Sequence, residues 1–407
     1  MLSATARNYR NAYAGLSRET WLLSLIMLIN RSGTMVVPFM TLYLTSNEMG
    51  YTIGQAGYVF GLFGAGAFSG ALLGGWLSDR IGFYPVQVIT LLGGGVLFLL
   101  LGQMKTYPMI CTFTFLLSFV NEAFRPANST AIAFYSKPDN RTRSYALNRL
   151  AINLGWALGS GLGGMLADIN YELLFWVDGF TNISAALLLW FLLKPVRYIP
   201  GRIKDSTTPS ARPPYLDKKY LLFTTITVLF AACFFQLFTN LPVYFERDLQ
   251  LSKPFIGLLM ASNGLLIAII EMVLIYRLEG RRHNIFYITR GVFLVGLAFL
   301  LLTLPIKGAG LAFVMIITVT LGEILSMPFM NSYWIARTQP SNRGLYAAIY
   351  TMAWSAAQTL GPMGGAQLAE KNGFRLLWLV VGVTCIVAAL AYRQLGHKDN
   401  HGQPQAH

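Results

Sequence analysis

Catalytic side chains are scarce in this sequence. Its 407 residues include four histidines, three cysteines and only 12% charged residues. The histidines His283, His397, His401 and His407 all fall in loops or the tail, so no imidazole stands inside an apolar segment to hold a metal or move a proton. The cysteines Cys111, Cys233 and Cys385 each lie within an apolar run. An odd number without metal-ligand spacing argues against disulfides and against a zinc site. No nucleophile–base pair and no ATP-binding loop is recognisable, which sets aside an intramembrane enzyme and an ATP-driven pump. Charge is short as well, since a soluble domain carries about 25% charged residues.

Apolar residues fill the space those groups leave. They make up 55% of the chain and form runs along its whole length, where about 20 suffice to cross a bilayer as a helix. Windows bounded by turn and charge signals predict twelve spans, at 20–44, 54–78, 84–104, 108–135, 144–167, 173–194, 219–245, 254–277, 285–305, 309–336, 344–367 and 374–395. The expected fold class is an all-α membrane protein with 12 transmembrane helices. Arg7, Arg10, Arg18 and Glu19 precede the first run and no small-residue cleavage site follows it, so it reads as a retained helix rather than a signal peptide. In this arrangement 21 of the 31 Lys and Arg residues fall on the side holding both termini and 6 on the other, with Arg31, Arg125, Arg149 and Arg290 inside spans. The positive-inside rule then makes both termini cytoplasmic, in a multi-pass protein of the inner (plasma) membrane. The net charge of +14 is a topology signal and needs no nucleic acid to explain it. The expected partners are the lipid bilayer and a small-molecule substrate, with the chain acting as a monomer.

One long polar connection, "KPVRYIPGRIKDSTTPSARPPYLDKK", divides the spans six and six. The expected domains are an N-terminal six-helix bundle at 1–194, a cytoplasmic linker at 195–218, a C-terminal bundle at 219–395 and a cytoplasmic tail at 396–407. An internal repeat supports the division. Pro126, Pro138, Asn140 and Arg141 match Pro328, Pro340, Asn342 and Arg343 at a constant offset. Halves repeated in the same order imply a pseudo-two-fold axis along the membrane normal, with a substrate site near the midplane at their interface.

In "GGWLSDRIGFYP", Gly75, Asp79, Arg80 and Gly82 match G-x-x-x-D-R-x-G, the loop after the second helix in the major facilitator superfamily. Phe83 and Tyr84 stand where that family usually has two basic residues. Together with twelve spans, the central loop and the repeat, the resemblance covers the whole chain. It implies two pseudo-symmetric six-helix bundles and a gating role for this loop. "GWALGSGLGG" in the fifth span resembles the glycine-rich motif of drug–proton antiporters through Gly155, Gly159, Gly163 and Gly164, with Ser160 in place of proline. The eleventh span carries Gly361, Pro362, Gly364 and Gly365, and close helix packing through small residues is the structural alternative for both motifs. "FRPANS" and "AINLG" are similar to stretches of proton-coupled oligopeptide transporters, and Arg31, Arg125 and Glu323 occupy matching positions. Met27 and Asn30 replace the two first-helix glutamates of that family.

Ionisable groups within spans are rare and usually face a cavity or a partner. Glu122 and Glu323 lie 14 residues from the presumed outer ends of the fourth and tenth spans, about 21 Å deep at 1.5 Å per residue. Arg125 follows Glu122 by three residues, on the same helical face. The expectation is that Arg31 and Arg125 balance Glu122 and Glu323, and that proton binding to a glutamate releases one pair. Asn30, Asn153, Gln236, Asn240 and Asn263 are candidates to line the substrate site beside Arg31 and Arg125, with interhelical hydrogen bonding the alternative for the amides. Glu271 is assigned to inner gating, Asp178 to reaching the outer surface, and Arg149 and Arg290 to snorkelling. No cofactor is expected beyond protons as the coupling ion. The leading reading is a proton-coupled transporter of small organic molecules, most like the drug–proton antiporters, working by alternating access. Its competitor is a proton-coupled importer of peptides or other zwitterions.

Overall fold

The computed structural model of the protein describes residues 15–137, 141–195, 213–278, 281–306, 308–338 and 343–400. Most of the 195–218 linker, the repeat residues Pro138, Asn140, Pro340 and Asn342 and part of the 396–407 tail lie outside them. So do the side chains of Asp79, Arg141 and Arg343.

Among the described residues all regular structure is helical. Fifteen α-helices run in order: α1 (Arg18–Ser32), α2 (Val36–Leu44), α3 (Ile53–Ile81), α4 (Phe83–Gly102), α5 (Tyr107–Glu122), α6 (Phe124–Tyr135), α7 (Arg141–Ile169), α8 (Glu172–Leu192), α9 (Lys218–Phe234), α10 (Asn240–Arg247), α11 (Lys253–Leu278), α12 (Asn284–Leu301), α13 (Ala309–Ala336), α14 (Arg343–Asn372) and α15 (Phe374–Asn400). Among the described residues eleven stretches are long and apolar enough to cross a membrane. The twelfth expected span is α14, which has 30 residues but is diluted by Gly, Ser, Gln and a charged end.

Three expected spans are broken. The first divides into α1 and α2, the fourth into α5 and α6, and the seventh into α9 and α10 around a 3-10 turn at Phe235–Phe238. In each case the second segment has proline as its third residue: Pro38, Pro126 and Pro242. Proline lacks an N–H and its ring clashes with the carbonyl four residues back, but it is tolerated in a first turn. Those clashing positions, Thr34, Glu122 and Phe238, lie at or beside the three breaks. Pro328 and Pro362 sit inside continuous helices, so proline alone does not decide the outcome.

By contact the chain forms two units, Met1–Val37 with Ala65–Arg202 and Pro38–Gly64 with Ile203–His407. They differ from the sequence-order halves 1–194 and 219–395 mainly in the segment Pro38–Gly64. The first unit has a core of Leu23, Ile26, Met27, Val86, Phe124 and Leu189, all buried. Its packing order recurs in the second: α4 lies on α5, α6 and α8 as α12 lies on α13 and α15, while α1 meets α7 and α8 as α9 meets α14 and α15. Small residues permit the close approaches. Gly66, Gly70 and Gly74 of α3 lie against the backbone of Phe115, Phe119 and Ala123.

Candidate functional site

Arg31 ends helix α1 in its last turn, and Gly33 caps the helix. A cation there faces the negative end of the helix dipole. Gly155 and Gly159 of α7 bring that helix onto the Arg31 backbone: a Cβ at Gly155 would lie 2.7 Å from Arg31 Cβ, and one at Gly159 2.9 Å from Ser32 O. Gly163 and Gly164 are buried further along α7. In this chain the glycine-rich motif of the fifth span therefore seats the arginine of the first.

The break after Arg31 is built by α8. Both carboxylate oxygens of Asp178 accept from the amide of Met35, at 3.0 and 3.1 Å, and Oδ2 also accepts from Val36 at 2.9 Å. These amides open α2, so Asp178 caps a helix from another element, where a negative charge is favoured. One turn on, Asn182 accepts from Asn30 Nδ2 at 2.8 Å and donates to the Asp178 carbonyl at 2.8 Å. Asp178 is 0% exposed. This corrects the expectation that it reaches the outer surface: a broken first span supplies orphan amides for it to cap.

Glu122 closes α5, and its Oε2 accepts from Arg125 Nη1 at 3.0 Å; their side chains are 14% and 65% exposed. Arg31 has no carboxylate within 4 Å among the described residues, and its Nε is buried without a hydrogen-bond partner. Glu122 and Arg125 are nonetheless near enough to act on it electrostatically. The expected direct balance between Arg31 and a carboxylate is thus absent within this unit, because Glu122 is held by the arginine one turn along its own span. Among these three groups the guanidiniums outnumber the carboxylates two to one. Asn153 is half-buried without a hydrogen bond among the described residues.

In the second unit Asn263 of α11 is buried and donates to Thr320 Oγ1 at 2.9 Å and Glu323 Oε2 at 3.2 Å, both on α13. Gln236 and Asn240 sit at the seventh-span break. Gln236 donates to the carbonyls of Ala232 and Gly361, and Asn240 donates to Gln236 Oε1 at 2.6 Å. Asn240 Oδ1 is buried without a partner among the described residues. Gly361 and Gly365 admit α9 and the Gln236 side chain against α14, while Gly364 has open space before it; Pro362 is buried within the helix. Glu271 is buried on α11.

At the loop after the second span, Gly82 has φ of 91°, a left-handed conformation that glycine adopts without strain. Arg80 stacks over the Trp76 ring at 4.1 Å. Close packing falls to Gly74, since a Cβ at Gly75 would meet nothing nearer than 4.0 Å. Arg290 stacks on Phe286 at 4.0 Å, and Arg149 is exposed.

Sequence reasoning passed over a cluster in the second unit. Asp217 caps α9 through the Tyr220 amide and accepts from Arg337 Nε at 3.0 Å, Arg337 Nη2 at 2.9 Å and Tyr346 Oη at 3.3 Å. Burial pushes its carboxyl up, but these donors hold it below the ordinary value of 3.8. The sequence signal was an aspartate directly before a helical run.

The family model of the Major Facilitator Superfamily matches residues 20–358 and 325–407. The chain is 23% identical to a "Na(+), Li(+), K(+)/H(+) antiporter" of Planococcus maritimus, covering 91% of this chain and 93% of that protein. It is also 23% identical to the multidrug resistance protein MdtH of Aeromonas salmonicida, covering 93% and 96%. Among solved structures it resembles a POT family transporter in complex with 5-aminolevulinic acid, with a TM-score of 0.79, 15% identity and coverage of 95% and 97%.

Proposed function

Because the chain belongs to the Major Facilitator Superfamily, and is therefore a multi-pass membrane transporter of small molecules, we propose that it is a proton-coupled exporter working by alternating access. It acts as a monomer in the inner membrane, with both termini cytoplasmic and protons as its coupling ion. The observation that carries the proton assignment is the environment of its carboxylates. Asp178 is tied by both oxygens to the backbone amides of Met35 and Val36, which commits it to capping α2. Glu122 is held by Arg125. Glu323 accepts from the side-chain amide of Asn263 on α11, so one of its contacts joins two different helices. Glu323 is the main proton-exchanging residue, with Glu122 as the second, while Arg31, with Asn30, Asn153 and Arg125, forms the substrate side of the first unit. Gln236, Asn240 and Asn263 form that of the second. Gly75, Asp79, Arg80, Gly82 and Glu271 gate the cytoplasmic side. The names of the antiporter and multidrug relatives support export.

A second reading is favoured by the unpartnered Nε of Arg31, a donor that suits a carboxylate-bearing solute: proton-driven import of peptides or similar zwitterions. Two assays separate them. Export lowers ethidium accumulation in cells expressing the protein, whereas import gives dialanine uptake driven by an inward proton gradient. In proteoliposomes Glu323→Gln is expected to abolish proton flux coupled to whichever solute moves. Unchanged coupling removes Glu323 from the mechanism.

A further inference from the structure

The segment Pro38–Gly64 precedes the central linker in sequence, yet it belongs by contact to the second unit. Two features hold it there. The first is a seat made of glycine. Gly54, Gly57, Gly61 and Gly64 form one face of α3, and opposite them stand Glu370 with Gln367, Ala366, Met363 and Thr359 of α14. The second is a pair of charged side chains on the loop joining α2 to α3. Arg247, the last residue of α10, donates from Nη2 to the Thr45 carbonyl at 3.0 Å, just beyond the C-terminus of α2. Glu370 accepts from the Gly54 amide in the first turn of α3.

Each charge matches the helix end it meets: a cation at a C-terminus and an anion at an N-terminus. The start of α3 shows that the glutamate supplements local capping. Thr52 and Gln55 form a reciprocal capping box, Thr52 N to Gln55 Oε1 at 2.9 Å and Gln55 N to Thr52 Oγ1 at 3.1 Å. That leaves the Gly54 amide for a partner from α14. Both charged side chains are exposed, where water competes for them and such contacts are weak and reversible. A glycine face likewise parts without unthreading interlocked side chains.

We propose that Glu370 and Arg247 form a two-point latch that clamps the α2–α3 loop onto α14 and α10 and is released during transport. It rests on the alternating-access reading, which requires this face to open, but not on any substrate or proton assignment. The latch would set how much of the population is closed on the side opposite the termini.

The test reads conformation and needs no substrate. A cysteine at Gln367→Cys, beside Gly54, has a shorter side chain that withdraws beneath α3. Its labelling by a polar maleimide is followed by peptide mapping in the purified full-length protein in lipid nanodiscs. Glu370→Gln or Arg247→Gln in that background is expected to raise the labelling rate about threefold to tenfold, as loss of a hydrogen bond to a charged group enlarges the open population. Arg247→Lys, which keeps a charged donor, is expected to stay near the parent rate. Equal rates in all variants would overturn the latch. So would a rise shared by the buried Cys233 and Cys385, which reports loosening of the helices at large. Loss of proton coupling in Glu323→Gln with the labelling pattern intact would leave the latch standing.

Discussion

Arg31 and Asp178 stand at the two sides of one helix break without joining. Asp178 is satisfied by the amides of Met35 and Val36, and Arg31 ends α1 with its Nε unpartnered. A buried carboxylate paired directly with Arg31 would neutralise it; a carboxylate spent on backbone leaves it available to a ligand. Replacing Asp178 by Asn turns an amide group toward N–H donors. The expected cost is roughly 1–3 kcal/mol, seen as a lower Tm of the purified protein. Faster amide exchange confined to residues 30–36 would identify the break as the site of the damage.

At the scale of helices, close approach and capping decide more than apolar content does. A side chain at Gly155 has no room, since its first carbon would already lie 2.7 Å from Arg31 Cβ. Gly155→Val is expected to push α7 from α1 and destabilise by about 1–3 kcal/mol, measured by thermal unfolding beside the milder Gly155→Ala. Asp217 ties the start of α9 to Arg337 at the end of α13 and to Tyr346 of α14. Its carboxyl lies below its ordinary value in the folded protein. Its stabilising contribution is therefore complete above the unfolded value and fades as pH falls through the lower folded one. Asp217→Asn should reduce Tm clearly at pH 7, with the gap to the parent closing as the pH drops below about 4.

For the whole molecule, the charge bias across the loops makes a topological prediction. A C-terminal fluorescent-protein fusion is expected to fluoresce in intact cells, and a C-terminal alkaline phosphatase fusion to be inactive. The reverse pattern would invert the proposed orientation and the assignment of Glu271 and the Arg80 loop to the cytoplasmic side. The recurrence of one packing order in both units gives physical form to the repeat seen in the sequence, where Pro126 and Pro328 correspond. The repeat is not perfect: Pro126 opens a new helix after a break, whereas Pro328 lies within the unbroken α13.

The sequence by itself determined the helical membrane class, the number of long segments, the family and the ionisable residues that lie inside spans. Each follows from local properties: apolar run length, the cost of charge in lipid and the spacing of a short loop motif. The breaks were half legible, since Pro38, Pro126 and Pro242 mark them while Pro328 and Pro362 are absorbed. Only tertiary structure decided which partner each charge takes. Asp178 caps a helix opened more than a hundred residues earlier, Glu122 turns to Arg125, and Glu323 meets Asn263. Those pairings depend on which helix faces touch, and no local pattern encodes them: a buried polar atom takes a donor within hydrogen-bond reach, wherever in the chain it comes from.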